Sequence, residues 1–466
     1  MKIRFGTSGW RGIIAREFTW DRVEMLVDAI SRWITGQGGR SVVVGGDTRF
    51  LSPELAGATA ERMAGYGFRV FLSDRPVPTP VLSSAVRRLG AGGVVNFTAS
   101  HNPPLYNGIK FSPADGGPAG QAVTEAIEGL LGSAERPAAA AGSIETVDIV
   151  TPYLAELDSI LDTGRFAGAG LRVVYDAFSG TGSGVLDRKL MGLGASVRTI
   201  NGDRDPLFAG REHPEPNEAG LGQLAAEVVR SRGSMGAATD GDADRFGLVD
   251  SGGNYVSPHE FFPLLLDYLV SERGFRGTAV RSLTTSSLLD RVAARYGIPV
   301  VVTPVGFKYL GAVMTERDVV LACEESGGMS VLGHVPEKDG ILACLLAAEM
   351  VCARGECLGD QIRRMRSEFG TTCNRRLDLK LDEASRRRVD TLFFEGDPRE
   401  LAGRAVTGVD RTEGVTLRLE GDEQVIVRMS GTEPLARVYI QAPSPGEVEE
   451  IAASLKRQLG LDDPAP

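Results

Sequence analysis

The sequence predicts an α/β protein of several domains, and three observations support this prediction. The chain has 466 residues, 42% of them hydrophobic, which exceeds what one hydrophobic core usually serves, so about three or four domains are expected. Three stretches repeat the order strand, polar loop, helix, glycine and second strand, which is typical of α/β units. After about Cys373 the pattern changes to short alternating strands, which indicates a last domain of another type.

The three stretches each contain two β-branched apolar runs with a helical pattern between them. Because the order of elements is the same each time, we interpret them as diverged internal repeats. Their paired strands are residues 41–49 and 68–72, 171–176 and 195–200, and 279–280 and 298–302.

Composition predicts where the domains meet. Residues 132–142 are rich in Ala, Pro and Gly, and Thr151-Pro152 has the pattern of a helix N-cap with proline at the first helical position. A second break falls near residues 251–253, where two glycines follow a serine. The predicted domains are residues 1–150, 151–254, 255–372 and 373–466.

Charge and composition exclude several classes of protein. With 51 basic and 61 acidic residues the formal net charge is −10, which opposes binding to nucleic acid or to an anionic membrane. The longest apolar run, residues 341–348, is too short to span a bilayer. Five cysteines without a C-x-x-C pair argue against a zinc site or a disulfide framework and favour the reducing cytosol. We therefore expect a cytoplasmic protein without membrane or nucleic-acid partners.

Each repeat also contains a short apolar strand that ends in an unusual polar loop. The three segments are residues 94–103, 235–245 and 319–328. Ligands of open α/β sheets bind at the carboxyl ends of strands, so the three loops are predicted to converge on one cleft.

The second of these loops is a candidate metal site. Asp240, Asp242 and Asp244 alternate with two small residues, which places three hard oxygen ligands close together. An EF-hand loop is excluded because Arg245 stands where its glycine belongs and Ser251 where its bidentate glutamate belongs. A solvated acidic turn remains an alternative. Arg245 suits an anion that bridges the protein and a metal.

The first loop contains a candidate nucleophile, Ser100, within Thr98-Ala-Ser-His-Asn-Pro-Pro104. The prolines disfavour helix, so Ser100 is expected on an exposed, irregular loop, either as a nucleophile or as a turn cap. A Ser-His hydrolase is disfavoured because His101 is a sequence neighbour and no G-x-S-x-G motif is present. His101 either braces the loop or moves protons. Lys110 is a cation for phosphate, an acid/base group, or an ordinary exposed lysine.

Two further loops suit a phosphorylated sugar. Residues 428–434 and the following Arg437 offer guanidinium groups, two hydroxyls and a glycine that lets an anion approach the backbone, although an ordinary turn with a surface arginine has the same composition. Glu324 and Ser326, followed by two glycines, suit hydrogen bonding to vicinal hydroxyls, although a helix N-terminus looks similar.

Together these four loops, in this order, closely resemble those of the α-D-phosphohexomutase family, which includes phosphoglucomutase, phosphomannomutase and phosphoglucosamine mutase. The resemblance spans nearly the whole chain, and the amino-terminal residues 5–12 also resemble the start of the family. The matching signatures are Thr98-Ala-Ser-His-Asn-Pro103, Asp240-Gly-Asp-Ala-Asp-Arg245, Glu324-Glu-Ser-Gly327 and Arg428-Met-Ser-Gly-Thr432.

The resemblance implies three similar α/β domains with mixed sheets around a central cleft, plus a smaller α+β C-terminal domain. It implies that Ser100 carries a phosphoryl group and that a hexose 1,6-bisphosphate is the intermediate, with Mg²⁺ as cofactor and a phosphosugar as substrate. The roles it implies are Mg²⁺ binding by Asp240, Asp242, Asp244 and phosphorylated Ser100; charge neutralisation or catalysis by Arg11, His101, Lys110 and Arg245; sugar binding by Glu324 and Ser326; and binding of the distal phosphate by Arg428, Ser430, Gly431, Thr432 and Arg437.

Two details of the sugar loop bear on mechanism and specificity. Some family members have histidine after the Ser-Gly pair, whereas this chain has Gly328, so proton transfer is expected from Lys110, His101 or Lys308. Glu325 resembles the phosphoglucomutase variant of the loop, which favours glucose over mannose or glucosamine phosphates. A noncatalytic protein that binds sugar phosphate or a divalent cation is the alternative of a different class.

Overall fold

The computed structural model describes residues 3–5, 9–132, 140–430 and 435–461. Their strands form four sheets. The chain divides into two compact units, Met1–Ser282 with Tyr296–Ile362 and Leu283–Arg295 with Arg363–Pro466. The first unit contains three of the sheets and the second contains the fourth.

The first sheet has six strands in the order β1-β5-β4-β2-β3-β6. Strand β2 is parallel to β3 and β4, whereas β5 is antiparallel to β1 and β4. The strands are β1 (Trp10–Ile13), β2 (Ser41–Gly46), β3 (Arg69–Ser73), β4 (Gly93–Phe97), β5 (Tyr106–Pro113) and β6 (Ser143–Val147), and the helices are α1 (Trp20–Gly36), α2 (Ser52–Ala64), α3 (Thr79–Leu89) and α4 (Gln121–Leu130).

The second sheet has the order β11-β10-β9-β7-β8, with β7 parallel to β8 and β9 and with β10 antiparallel to β9. Its strands are β7 (Arg172–Asp176), β8 (Ser196–Ile200), β9 (Met235–Thr239), β10 (Phe246–Val249) and β11 (Tyr255–Val256). The helices of this part of the chain are α5 (Val150–Ile160), α6 (Leu186–Gly192) and α7 (Gly222–Ser231).

The third sheet has the order β13-β12-β14-β15, with β12 parallel to β13 and β14 and with β15 antiparallel to β14. Its strands are β12 (Thr278–Ser282), β13 (Val300–Thr303), β14 (Val319–Glu324) and β15 (Gly328–Val331). The helices of this part of the chain are α8 (Pro258–Ser271), α9 (Leu288–Arg295), α10 (Phe307–Glu316), α11 (Gly340–Arg354) and α12 (Leu358–Phe369).

The three sheets share one arrangement, which confirms the predicted repeats and their mixed sheets. In each, a central strand lies between two parallel neighbours, and one neighbour turns back into an antiparallel strand. The strands before the turn, β4, β9 and β14, are buried along their whole length, as expected for strands covered on both faces. The three predicted polar loops are the turns that follow these strands.

The second unit contains an antiparallel sheet in the order β16-β21-β20-β19-β18-β17. The short alternating strands predicted after about Cys373 are present, and residues 415–419 form one of them, β19. The apolar face of the last helix packs against this sheet and closes its core. The elements are β16 (Cys373–Lys380), β17 (Glu400–Leu401), β18 (Arg404–Asp410), β19 (Val415–Leu419), β20 (Gln424–Met429), β21 (Leu435–Ala442), α13 (Glu383–Val389) and α14 (Pro445–Leu459).

One predicted helix start is wrong by a small margin. The sequence places Thr151 at the cap of a helix, but α5 already begins at Val150, so Thr151 lies inside it. The reason is Asp148, whose carboxylate accepts hydrogen bonds from the backbone N–H groups of Val150 and Thr151 at 3.0 and 3.1 Å. The three boundaries between the four predicted domains stay a prediction. Within the part of the chain described, no helix is long and apolar enough to cross a bilayer.

Candidate active site

The three polar loops meet within the first unit. The hydroxyl of Ser100, in the first loop, donates a hydrogen bond of 2.8 Å to Oδ2 of Asp240 in the second loop. Lys338 lies between the second and third loops, with Nζ 2.8 Å from Oδ2 of Asp244 and its aliphatic stem beside Gly328. The predicted convergence therefore follows from the equivalent positions of the loops in the three repeats.

Ser100 is held in an unusual conformation. Its φ angle is +49°, in the left-handed region that residues other than glycine rarely occupy. Its backbone N–H donates to Oγ1 of Thr98 at 2.8 Å, and its Oγ lies 3.4 Å from Nδ1 of His101. The expectation of an exposed loop is wrong for this residue, which is only 2% exposed, because the Asp240 loop covers it.

Three carboxylates form a compact acidic cluster beside Ser100. Asp240, Asp242 and Asp244 are buried, and their nearest oxygens lie within 4.8 Å of one another. Oδ2 of Asp242 accepts a hydrogen bond from Thr79 at 2.6 Å, but Oδ1 of Asp242 and Oδ1 of Asp244 accept none from the described residues. Burial raises the pKa of Asp240, and its two carboxylate neighbours raise it further. Buried oxygens without hydrogen bonds and mutual repulsion fit a divalent cation.

Lys338 compensates part of this negative charge. Burial acts to raise the pKa of Asp244, but Lys338, Lys110 and Arg245 outweigh it and lower that pKa to about 2. Asp244 is therefore held ionised by protein cations.

Lys110 lies on β5 and is also buried. Its Nζ donates to Oε2 of Glu337 at 2.7 Å, and Glu337 is fully buried. The alternative of an ordinary exposed lysine is wrong, because the segment before α11 supplies a carboxylate that compensates the charge.

Two arginines extend the positive charge around Ser100, and a neutral histidine lies beside them. Arg11, on β1, donates from Nη1 to Oδ1 of Asn102 at 2.5 Å. Arg245 donates from Nη1 to Oε1 of Glu215 at 2.6 Å. The pKa of His101 is strongly lowered, first by Arg245 and then by burial and Arg11, so its imidazole is neutral. An acidic protein thus concentrates cations where an anionic substrate needs them.

The third loop brings Glu324 to the end of a buried strand. Oε1 of Glu324 accepts a hydrogen bond from Ser326 at 2.9 Å. Burial raises the pKa of Glu324, although Lys338 opposes this. A Cβ atom at Gly328 would lie 2.4 Å from Cδ of Lys338 and 3.1 Å from Oε1 of Glu324. Gly328 therefore leaves the space that the Lys338 stem occupies.

The remaining predicted residues are Lys308 in the first unit and a group in the second unit. Lys308 is in the first turn of α10, and its Nζ lies 4.7 Å from the centre of the Tyr309 ring. In the second unit, Arg428 on β20 is paired in register with Arg437 on β21 and forms an ion pair with Glu413. Ser430 donates its backbone N–H to Leu435 at 3.0 Å. Gly431 and Thr432 lie outside the described residues.

Comparison with known proteins matches four successive segments of the chain to one family. Family models named phosphoglucomutase/phosphomannomutase alpha/beta/alpha domains I, II and III match residues 2–137, 151–253 and 257–369. The C-terminal domain of the same name matches residues 386–458. The chain belongs to the phosphoglucomutase/phosphomannomutase family. It is accordingly an enzyme, an intramolecular phosphotransferase.

Individual relatives agree with the family but differ in their named substrates. The chain is 30% identical to a phosphoglucomutase/phosphomannomutase of Thermococcus kodakarensis, covering 96% of both chains. It is 29% identical to a phosphoglucosamine mutase of Caldicellulosiruptor bescii, covering 97% of both. The crystal structure of a candidate phosphomannomutase from Thermus thermophilus is 38% identical, with a TM-score of 0.88 and 99% of both chains covered.

Several residues at this mutase site escaped the sequence analysis. Thr79 contacts Asp242 from the first turn of α3, and its only signal is its position between two prolines. Glu337 and Lys338 lie just before the apolar helix α11. Their signal in the sequence is that consecutive charged residues are unusual next to an apolar helix. Arg49 follows β2 in the segment Gly-Gly-Asp-Thr-Arg. The sequence indicates this segment as part of the first repeat and gives no separate signal for the arginine.

Proposed function

We propose that this mutase interconverts α-D-glucose 1-phosphate and glucose 6-phosphate through phosphorylated Ser100 and glucose 1,6-bisphosphate. The observation that carries the proposal is the hydrogen bond from Ser100 to the buried acidic cluster, in a site that also contains Arg11, Lys110 and Arg245. The Ser100 hydroxyl thus has carboxylates on one side, which suit a cation, and cationic side chains on the other, which suit an anion. This arrangement suits phosphoryl transfer.

The reaction begins when a sugar hydroxyl attacks the phosphorus of phosphorylated Ser100. The new bond joins phosphorus to the sugar oxygen and the bond to Oγ of Ser100 breaks. The sugar hydroxyl gives its proton to a base, and Oγ of Ser100 takes up a proton to become a hydroxyl. Asp240, Asp242, Asp244 and an oxygen of the Ser100 phosphate would hold Mg²⁺, which when bound neutralises charge on the transferring group. The bisphosphate then reverses its orientation in the site, and its other phosphoryl group is transferred to Ser100.

Glu324 and Ser326 are the proposed sugar contacts. Glu324 is buried and accepts a hydrogen bond from Ser326, so the two polar groups act as one hydrogen-bonding pair. Such a pair serves both orientations of the substrate if it contacts O3 and O4, which occupy nearly equivalent positions when the ring is reversed. Arg428, Ser430, Gly431, Thr432 and Arg437 are the proposed contacts of the distal phosphate. Arg428 and Arg437 are register partners on the adjacent strands β20 and β21. Two neighbouring guanidinium groups favour an anion beside them.

Glucose is proposed because Glu325 gives the loop the sequence Glu-Glu-Ser. Mannose and glucosamine phosphates are the competing substrates, and the named relatives include mutases of each kind. We expect the highest kcat/KM with glucose 1-phosphate in a panel of hexose 1-phosphates. A higher value with mannose or glucosamine 1-phosphate would overturn the choice of sugar.

The phosphoserine step is tested separately by intact-mass spectrometry of the purified enzyme after incubation with glucose 1,6-bisphosphate. We expect one added phosphate, mapped to Ser100. Turnover of substrate without phosphate on Ser100 would contradict this mechanism while leaving the mutase activity in place.

A further inference from the structure

Arg49 is a fully buried cation in the turn between β2 and α2. On one side it is held by Asp47, whose Oδ2 lies 3.2 Å from Nε of Arg49. Oδ1 of Asp47 also accepts the backbone N–H of Arg49 and the hydroxyl of Ser52, both at 2.9 Å. The guanidinium lies 4.8 Å from the centre of the Phe208 ring. The position of this side chain is therefore fixed before it contacts the Ser100 loop.

The opposite edge of the guanidinium donates to four backbone oxygens between Ser100 and Tyr106. The acceptors are the carbonyl oxygens of Ser100 at 2.6 Å, Asn102 at 2.6 Å, Pro103 at 2.9 Å and Tyr106 at 3.0 Å. These bonds fix the peptides that follow Ser100, the residue whose φ of +49° is sparsely populated. Strained backbone persists where the surrounding structure holds it.

We propose that Arg49 is a positioning residue that holds Ser100 in its left-handed conformation and so aims its hydroxyl at Asp240. Only the planar, five-donor guanidinium can reach four carbonyls from one site, whereas lysine offers donors on a single atom. The inference rests on the proposed role of Ser100 as phosphoryl carrier. It assigns Arg49 no contact with substrate, so the rate of phosphoryl transfer should change while substrate affinity does not.

The second repeat supplies a matched control. Asp176 ends β7 and pairs with Arg211, with Oδ2 and Nη2 3.0 Å apart. Oδ1 of Asp176 accepts the backbone N–H of Phe178 two residues on, as Asp47 does for Arg49. The Arg211 guanidinium lies 4.2 Å from the Phe178 ring, and its further acceptor is Oε1 of Gln223 at 3.4 Å. Asp176 ends the strand equivalent to β2, and Arg211 donates to none of the four carbonyls that Arg49 contacts.

The experiment compares R49K, R211K and wild-type enzyme in rapid-quench reactions with glucose 1,6-bisphosphate, followed by intact mass. Because small misplacements of reacting groups can cost about a hundredfold, we expect R49K to slow phosphorylation of Ser100 by roughly ten- to a hundredfold. The KM for glucose 1-phosphate should stay within about twofold, and R211K should match wild type in both quantities. Equal rates in R49K and R211K would overturn the inference.

Two further outcomes are decisive. If wild-type enzyme accepts no phosphate on Ser100, the proposed mechanism fails and this inference fails with it, whereas normal phosphorylation of R49K overturns the inference alone. If R49K does not fold, D47N replaces it, because this change weakens the anchor of Arg49 and leaves the four carbonyls available. D47N should slow phosphorylation of Ser100 by about threefold or more at unchanged KM, and an unchanged rate would overturn the inference.

Discussion

The Ser100 loop and the Asp240–Asp244 loop occupy equivalent turns in the first two repeats but differ in chemical content. Each follows a fully buried strand and leads into an antiparallel one. The first carries a hydroxyl and is held by the cation Arg49, whereas the second carries three carboxylates and is balanced by Lys338 and Arg245. Equivalent turns in two repeats therefore bring both loops to one site, and their different side chains make them complementary.

The largest expected effect comes from removing the hydroxyl that joins the two loops. Ser100→Ala should lower kcat by about a thousandfold or more, because no other group in the loop is placed to carry the phosphoryl group. The melting temperature should change little, since the substitution removes one hydroxyl and its hydrogen bond to Asp240. A coupled mutase assay and a thermal melt measure both quantities. Ser183→Ala, which removes a hydroxyl bonded to Gly202, is the control, and near-normal turnover of Ser100→Ala would reject the mechanism.

The next effect tests the carboxylate side of the comparison. Asp242→Asn keeps an acceptor for Thr79 but removes one charge from the acidic cluster, so Mg²⁺ affinity should fall by roughly ten- to a hundredfold. Titration calorimetry with Mg²⁺ and the Mg²⁺ dependence of the rate measure this change. Asp203→Asn, an exposed aspartate of the same repeat, should leave both unchanged. An unaltered Mg²⁺ dependence in Asp242→Asn would mean that the cluster does not bind the cation.

The third repeat is tested through its sugar contact. Glu324→Gln should lose about 1.5–3 kcal/mol of hydrogen bonding to charged oxygen, or roughly one to two decades in kcat/KM. Binding of inorganic phosphate should not change, so equal weakening of phosphate and glucose 1-phosphate would show that Glu324 is not a sugar contact.

The same residue predicts a dependence on pH. Because burial raises the pKa of Glu324, its carboxylate accepts a proton at a higher pH than an ordinary glutamate does. The wild-type KM for glucose 1-phosphate should therefore rise as the pH falls through that raised pKa. Glu324→Gln has no such ionisation and should lack this rise; a rise that persists in the variant would assign the ionisation to another group.

The smallest expected effect tests whether Gly328 of the third repeat sets the position of Lys338 beside Asp244 of the second. Gly328→Ala would place a methyl group 2.4 Å from Cδ of Lys338, so Lys338 must move away from Asp244. We expect kcat/KM to fall by about tenfold, since a misplaced group near the reacting centre is costly. Gly129→Ala, where the added methyl meets no atom within 4 Å, should have no effect on activity. Wild-type activity in Gly328→Ala would show that the position of Lys338 is not critical.

Much of the architecture could be predicted from the sequence because it depends on local patterns. Runs of β-branched apolar residues indicate strands, and the polar residues that follow them indicate loops, so the three repeats and the short strands of the last domain were predicted. Alternating aspartates with small residues between them predict a cluster wherever the chain turns, which is why the 240–244 loop was found. The start of α5 was predicted two residues late, at Pro152 rather than Val150, because the carboxylate of Asp148 accepts the backbone N–H groups of Val150 and Thr151.

Only the tertiary structure decided which polar and charged groups contact one another. Ser100 and Asp240 are 140 positions apart, and Lys110 and Glu337 are 227 apart, so neither pair leaves a signal in the local sequence. The burial of Ser100, the four carbonyl bonds of Arg49 and the place of the Lys338 stem beside Gly328 arise from the packing of the three repeats. The sequence determined which loops carry polar groups, because strands and turns depend on neighbouring residues. The folded chain decided their partners, because electrostatic pairing depends on distance in space.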